Sequence, residues 1–347
     1  MSSKEKIIPL DKFINQALYD PKNGFYMKKN PLGEKGDFIT SPSISILFAE
    51  MLSIWTVLFW KKLKSPKKIN LIELGSGNGQ MFYDMINSFK SFPKFNKSCN
   101  FIILEKSPYL KKIQKSKLKN FKVKWVKNLS EVKKGNNIFL ANEFFDALPV
   151  KHFIKINNKW FERFIKLEKN NNKSFINFNS NIKIIEKKIG LKISNNQRFV
   201  EYSPLAFKYM KEISKKIKEK KGGLLIIDYG YLENSMKDTL ISIKKHKISD
   251  ILKKYKNSDI TYKINFRLFK KFAKILKLKC QGITTQRNFL LNLGIEQRAE
   301  IISKNQTFLK KADIYYRLKK LIDKNQMGDI FKVMLITSKK INFKIGF

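Results

Sequence analysis

One stretch restricts this chain more than any other: Asn70-Leu-Ile-Glu-Leu-Gly-Ser-Gly-Asn-Gly79, followed by QMFYDMINSF. The near-continuous apolar run reads as a strand buried on both faces. Three glycines at every second position then end it, because glycine permits positive φ and leaves the backbone bare. The next ten residues return to helical spacing. A strand that turns on glycine into a helix is the opening unit of a parallel α/β sheet, and such a turn lets a ligand approach the backbone. The pattern is GxGxG; a dinucleotide turn wants its third glycine one residue later, where this chain has Gln80. A second acid, Glu105, ends the following apolar run FIILE, 26 residues after Gly79, where a carboxylate can accept from both hydroxyls of a ribose.

These residues leave two ligands open, a dinucleotide and S-adenosylmethionine (SAM). The spacing favours SAM, which has no pyrophosphate to cradle. Glu73, Gly75, Gly77 and Gly79 then form the cofactor loop and Glu105 holds the ribose. Structural roles stand beside these: Glu73 as a buried acid held by loop amides, Glu105 as an acid at a helix N-terminus. Gly36-Asp-Phe-Ile-Thr-Ser-Pro42 is a polar loop ahead of an apolar helix. It is either a lid bringing Asp37 and Thr40 to the cofactor or a capped helix start.

Short apolar runs and helical patterns alternate from Ile69 onward. Strands are expected at Ile69–Leu74, Phe101–Leu104, Val123–Val126, Ile138–Asn142, Leu224–Asp228, Lys279–Thr285 and Lys332–Thr337, with helices between most of them. This predicts an α/β fold with a doubly wound, seven-stranded sheet. Residues 1–62 read as a helical extension with a lid loop, and 63–347 as one domain. Its insertions fall at about 151–182 (hairpins with Asn-rich turns), 231–265 and 286–328 (mostly helical). Ile44 to Trp60 is apolar enough to suggest a membrane span, but it is slightly short and carries Glu50 at its centre; a buried helix capped by Ser43 or Ser45 is expected.

The fourth expected strand runs into Asn142-Glu-Phe-Phe-Asp-Ala-Leu-Pro149. In a doubly wound sheet the ligand lies over the carboxyl ends of the strands, so Asn142, Glu143 and Asp146 are the candidate catalytic residues. Methyl transfer requires in-line approach and exclusion of water more than covalent help. For a guanidinium acceptor, paired carboxylates bind the planar cation and stabilise its charge. The bland alternatives are a turn-capping Asp146 and a structural Glu143. Asp228-Tyr-Gly230 should open onto the same end. His246 fits a surface residue better than a base.

Net charge is +44, from 72 Lys+Arg against 28 Asp+Glu. Only Arg163, Arg198, Arg267, Arg287, Arg298 and Arg317 are arginine; the other 66 cations are lysine, spread along the chain. Arginine is the residue that reads base edges and grips phosphate bidentately, so a solvated cationic surface is favoured over a nucleic-acid site. Two distant cysteines, Cys99 and Cys280, and two histidines argue against a zinc centre or a disulfide framework. MSSKEKIIPLDKF has neither a long apolar core nor an arginine, so neither a secretory nor a mitochondrial leader is expected.

Taken in order, GDFITSPSIS, FAE, ELGSGNG, NEFFDALP, EYSP, IDYGY, DITYKINF, TQRNFLLNLGI and MGDIFKVM resemble the MidA-like proteins, from about Leu10 to Ile336. That family includes the mitochondrial methyltransferase that assists assembly of respiratory complex I. The resemblance implies a class I methyltransferase fold, SAM as methyl donor, and a protein arginine as acceptor, symmetrically dimethylated on a complex I subunit in the mitochondrial member. It implies a cytoplasmic protein in a bacterium or a matrix protein in a eukaryote. Ser76 and Asn78 stand where relatives often have Pro and Arg; Lys263 and Asn265 stand where they usually have His and Asp. Beside the enzyme, two other functions are considered: a SAM-binding assembly factor for complex I, and a nucleic-acid methyltransferase.

Overall fold

Seven strands build the central sheet: β1 (Ile69–Leu74), β2 (Cys99–Leu104), β3 (Val123–Val126), β4 (Asn136–Asn142), β5 (Gly222–Tyr231), β6 (Leu278–Thr285) and β7 (Phe331–Ser338). The computed structural model describes residues 5–28, 41–168, 172–253 and 255–347, without the side chain of Ser43. The strand order is β6-β7-β5-β4-β1-β2-β3. β1 to β5 are mutually parallel, and β7 runs antiparallel to both β5 and β6. A two-residue strand, Ile264–Asn265, extends the end of β5 as an eighth member. The order turns back between β1 and β4, with Ile72 beside Phe139 and Glu73 beside Leu140. The glycine turn and the NEFFDALP turn therefore leave adjacent strands at the switch point, where a doubly wound sheet opens a crevice.

Helices cover both faces. Leu10–Tyr19, Pro204–Glu219 and Phe266–Ile275 share one apolar core with the sheet; Ile46–Lys62, Gln80–Phe89 and the inserted helices Gln286–Asn292, Ile295–Ser303 and Phe308–Ile322 share the other. This explains the all-round apolar character of Ile46–Lys62. It is buried between the sheet and the inserted helices, with Trp55 stacked on Phe59 and edge-on to Phe343. Its Glu50 accepts a bidentate pair of bonds from Arg298 (2.9 and 2.7 Å). Ser45 caps it, accepting from the Leu47 amide at 3.2 Å. Among the described residues no helix is long and apolar enough to cross a membrane.

The hairpins at 151–182 form a separate antiparallel sheet. Lys159–Leu167 pairs along one edge with Lys151–Ile156 through its first half and with Lys6–Pro9 through its second. Lys173–Asn179 takes the other edge, and Phe199–Tyr202 joins beyond Lys151–Ile156. Lys6–Pro9 is too short to show a period, and only the waiting edge of Lys159–Leu167 makes it a strand. That pairing anchors the N-terminal segment so that the helix Leu10–Tyr19 lies over the sheet's carboxyl end.

Candidate active site

The β1 turn holds Gly75, Gly77 and Gly79 at φ +67°, +53° and +81°. A Cβ on Gly75 would meet the Phe144 ring at 2.9 Å, so this glycine is fixed by space as well as by φ. Gly79 starts the helix Gln80–Phe89. Glu73 is buried beneath the turn and accepts from Ser76 Oγ at 2.5 Å. Burial pushes its carboxyl up to about 8, against the Ser76 bond and with help from Glu105.

Glu105, at the end of β2, is also buried and also raised, chiefly by desolvation. Its oxygens accept from the Ser107 amide (2.8 Å) and from Gln114 Nε2 (2.9 Å). The same Gln114 amide donates to the Gly77 carbonyl at 2.8 Å, and Gln114 Oε1 accepts from Trp125 Nε1 at 3.0 Å. Gln114 thus ties the acid at the end of β2 to the glycine turn of β1. It sits in a lysine-rich helix, and nothing in the sequence distinguishes it from a surface glutamine.

At the end of β4, Glu143 adopts φ +49°, unusual for a side chain with a Cβ, and its amide continues the ladder to the Ile227 carbonyl (2.9 Å). Asn142 Nδ2 donates to Glu143 Oε1 at 3.1 Å, while Asn142 Oδ1 is buried with no hydrogen-bond partner among the described residues. Asp228, fully buried at the end of β5, accepts from the amides of Phe145 (2.9 Å) and Asp146 (3.4 Å) and so clamps the turn. Asp146 turns inward and accepts from Thr261 Oγ1 at 3.0 Å. Burial, then the neighbouring Asp146, pushes Glu143 up to about 8. Asp146 rises to about 6, and Asp228 well above the carboxylate range, both mainly through burial.

The N-terminal segment closes the front. Tyr19 donates to the Ala147 carbonyl (3.0 Å) and Tyr26 to Asp259 (2.8 Å), their rings stacked with centroids 5.6 Å apart. Ser107 Oγ, beside Glu105, donates to the Tyr26 carbonyl at 2.7 Å. The resulting cleft spans about 1130 Å³ out to its open mouth. Glu73, Gly75, Gly77 and Glu105 line one wall and Asn142, Glu143 and Phe144 another, with Tyr19, Tyr26, Pro42 and Tyr209 around them. These residues fit SAM: a bare glycine backbone, an acid at the ribose position with acceptor capacity left on each oxygen, a second acid beside the loop, and Met81, Leu104 and Leu110 as apolar lining.

A family model described as "Putative S-adenosyl-L-methionine-dependent methyltransferase" matches residues 51–284, more than half of the chain. The chain belongs to this methyltransferase family. Its relatives include "Protein arginine methyltransferase NDUFAF7, mitochondrial" of Xenopus laevis, 29% identical over 94% of this chain and 80% of that protein. The mouse protein of the same name is 30% identical over 85% and 72%. Among solved structures, a Burkholderia thailandensis protein bound to S-adenosyl-homocysteine superposes with a TM-score of 0.81 at 21% identity, covering 98% of this chain and 90% of that one. That likeness shows the shared fold.

In this methyltransferase Glu73, Gly75, Gly77, Glu105, Asn142 and Glu143 come together on the cleft wall. Gly79 does not line it and serves as the helix start. Spacing predicts Glu143 and Asp146 side by side toward the acceptor; the structure puts Asp146 behind the wall, because Asp228 holds its amide and Thr261 its carboxylate. Asp37 and Thr40 lie outside the described residues. His246 is exposed in the turn between Ile241–Lys244 and Lys247–Ser249, away from the cleft. Lys263 is exposed too, and Asn265 caps the helix Phe266–Ile275 (2.9 Å to the Leu268 amide), a role that Asp fills equally well. The residues missed by sequence reasoning are Gln114, Tyr19, Tyr26 and Tyr209. His152, Glu201 and Asp238 also converge, but Arg163 sits among them, donating to Asp238 and touching His152 (2.5 and 3.1 Å). The Arg163 guanidinium thus neutralises the Asp238 carboxylate of that cluster.

Proposed function

We propose that this methyltransferase transfers methyl groups to arginine side chains of a protein, and that Glu143 receives the guanidinium. The observation that carries this reading is the acid at the strand end. Glu143 stands on the cleft wall next to the glycine turn, with Asn142 Oδ1 unpartnered beside it. The relatives that are protein arginine methyltransferases support it.

SAM, when bound, supplies a methyl group on a positively charged sulfur. The chain does the rest. Glu143 as carboxylate accepts two N–H bonds from the planar cation and Asn142 Oδ1 accepts a third, turning one nitrogen toward the cofactor wall. As the N–C bond forms and the S–C bond breaks, leaving the neutral thioether S-adenosylhomocysteine, that nitrogen loses a proton, and Glu143, more basic than an ordinary carboxylate, takes it up. Asp146 and Asp228 position the turn from behind. Tyr19, Tyr26, Phe144 and Tyr209 exclude water and offer ring faces to a cation. The family's histidine at the position of Lys263 has no counterpart on this wall, and this scheme needs none.

The acceptor protein is, in this reading, a subunit of respiratory complex I, and the reducing compartment that suits two free cysteines is the cytoplasm of a bacterium or the mitochondrial matrix. The test is mass spectrometry of the host proteome with and without the gene. A dimethyl-arginine lost from a complex I subunit supports acceptor and partner together. An unchanged arginine-methylation profile refutes the reading.

A further inference from the structure

The inserted helix Phe308–Ile322 is apolar on two sides. Leu318, Leu321 and Ile322 face the core. The opposite face also carries an apolar stripe at helical spacing: Phe308, Ala312 and Tyr316, with Leu309 alongside. Phe308 is 82% exposed and Leu309 79%, and Ile301 on the preceding helix is 66% exposed. Contiguous exposure on this scale marks an interaction surface. Segment 296–324 carries eight cations against four acids. Two of the acids lie near the stripe: Asp313 is paired with Arg317, and Glu300 is exposed. Lys304, Lys310 and Lys311 flank Phe308 and Leu309, and Lys320 lies over the Tyr316 ring at 4.5 Å.

We infer that this face seats the protein on an anionic lipid surface. An aliphatic and aromatic tip ringed by lysines suits the boundary between headgroups and acyl chains, where lysine stems cover apolar surface while their ammonium groups reach phosphate. The net charge of +44 opposes a second copy of the chain as occupant. The face adjoins the cleft: Arg317 donates to the Ile44 carbonyl at 2.7 Å, and Pro42, in the same short helix Ser41–Ile44, lines the cleft. This inference is independent of the acceptor proposed above.

The test is co-sedimentation of the full chain with vesicles of phosphatidylcholine containing about one-third phosphatidylglycerol, at near-physiological salt. Phe308→Ser with Leu309→Ser removes the tip while leaving every core contact and the lysines. Binding that weakens at least tenfold in the double variant, with SAM affinity unchanged, supports the inference. Equal binding by both proteins means that diffuse charge alone attaches the chain, and it overturns the inference. So does binding to single-stranded RNA without binding to vesicles.

Discussion

Replacing Glu143 by Gln removes one charge and almost no volume. The amide keeps an acceptor for Asn142 Nδ2, so the turn should survive. What is lost is the carboxylate's second acceptor and its charge. Hydrogen bonds to charged groups contribute about 1.5–3 kcal/mol each, so the loss of two costs the transition state at least about 3 kcal/mol. At about 1.4 kcal/mol per tenfold, kcat/KM falls on the order of 100-fold. The pH matters, because Glu143 is pushed up to about 8 in the free enzyme. Below that value it is protonated and must ionise to receive a guanidinium, which stays cationic throughout. At pH 7 only about a tenth is ionised, so the wild-type advantage shrinks to about tenfold; at pH 9 it is fully expressed. The assay is transfer of labelled methyl from SAM to protein extracted from a strain lacking the gene, followed across pH 6.5–9, with SAM affinity measured by calorimetry. SAM affinity should stay within about twofold, since Glu105 and the glycine turn are untouched. A variant that keeps the wild-type rate at pH 9, or that keeps the bend near pH 8, refutes the reasoning. Lost methylation with intact complex I assembly would put the assembly-factor function first.

Three further outcomes are expected. Gly77→Val places a β-branched residue at φ +53° on the cleft wall, and calorimetry should find SAM affinity reduced by roughly 100-fold or more while circular dichroism is unchanged. Gln114→Ala cuts the tie between Glu105 and the Gly77 carbonyl, and SAM affinity should fall about tenfold, with a stability loss of about 1–3 kcal/mol in urea titration. Glu73→Gln should stabilise the protein in a pH-dependent way. The carboxyl is raised to about 8 when folded, so wild-type stability is greatest below the unfolded value near 4.5 and falls as pH rises toward 8. The variant should match wild type at pH 4 and exceed it by about 3 kcal/mol at pH 7, at about 1.4 kcal/mol per pH unit; no gain at pH 7 would mean that Glu73 is ionised in the fold.

Much of this is legible in the sequence alone. The central strands announce themselves because both faces of β1 and β5 are buried, so their apolar runs are nearly continuous, and the glycine turn fixes where the first one ends. Glu73, Glu105 and Glu143 were legible for the same reason, since an acid ending an apolar strand stands at the sheet's carboxyl end. Other features depend on contacts distant in sequence. Lys6–Pro9 becomes a strand through a partner more than 150 residues later. Tyr19 and Tyr26 reach the cleft only because that pairing lays the N-terminal helix across it. Asp146 shares a turn with Glu143, but the orientation of its carboxylate is decided by Thr261 and Asp228, on other strands.

The second alternative, a nucleic-acid methyltransferase, draws on the net charge, and the placement of the charges answers it. Five of the six arginines are engaged within the molecule: Arg298 with Glu50, Arg317 with Asp313 and the Ile44 carbonyl, Arg163 with Asp238, Arg267 with the Leu232 carbonyl, and Arg287 with the Ile322 carbonyl. They are used as forks that join elements, so few remain to grip phosphate. The cleft is lined by acids where the surface carries lysines. Glu73, Glu105 and Glu143 line it with Asp146 and Asp228 behind, and among the described residues Lys106 is the single lysine on its wall. A phosphodiester entering this cleft would meet acids whose pKa values are already raised by burial and by one another, whereas a guanidinium entering it would lower them.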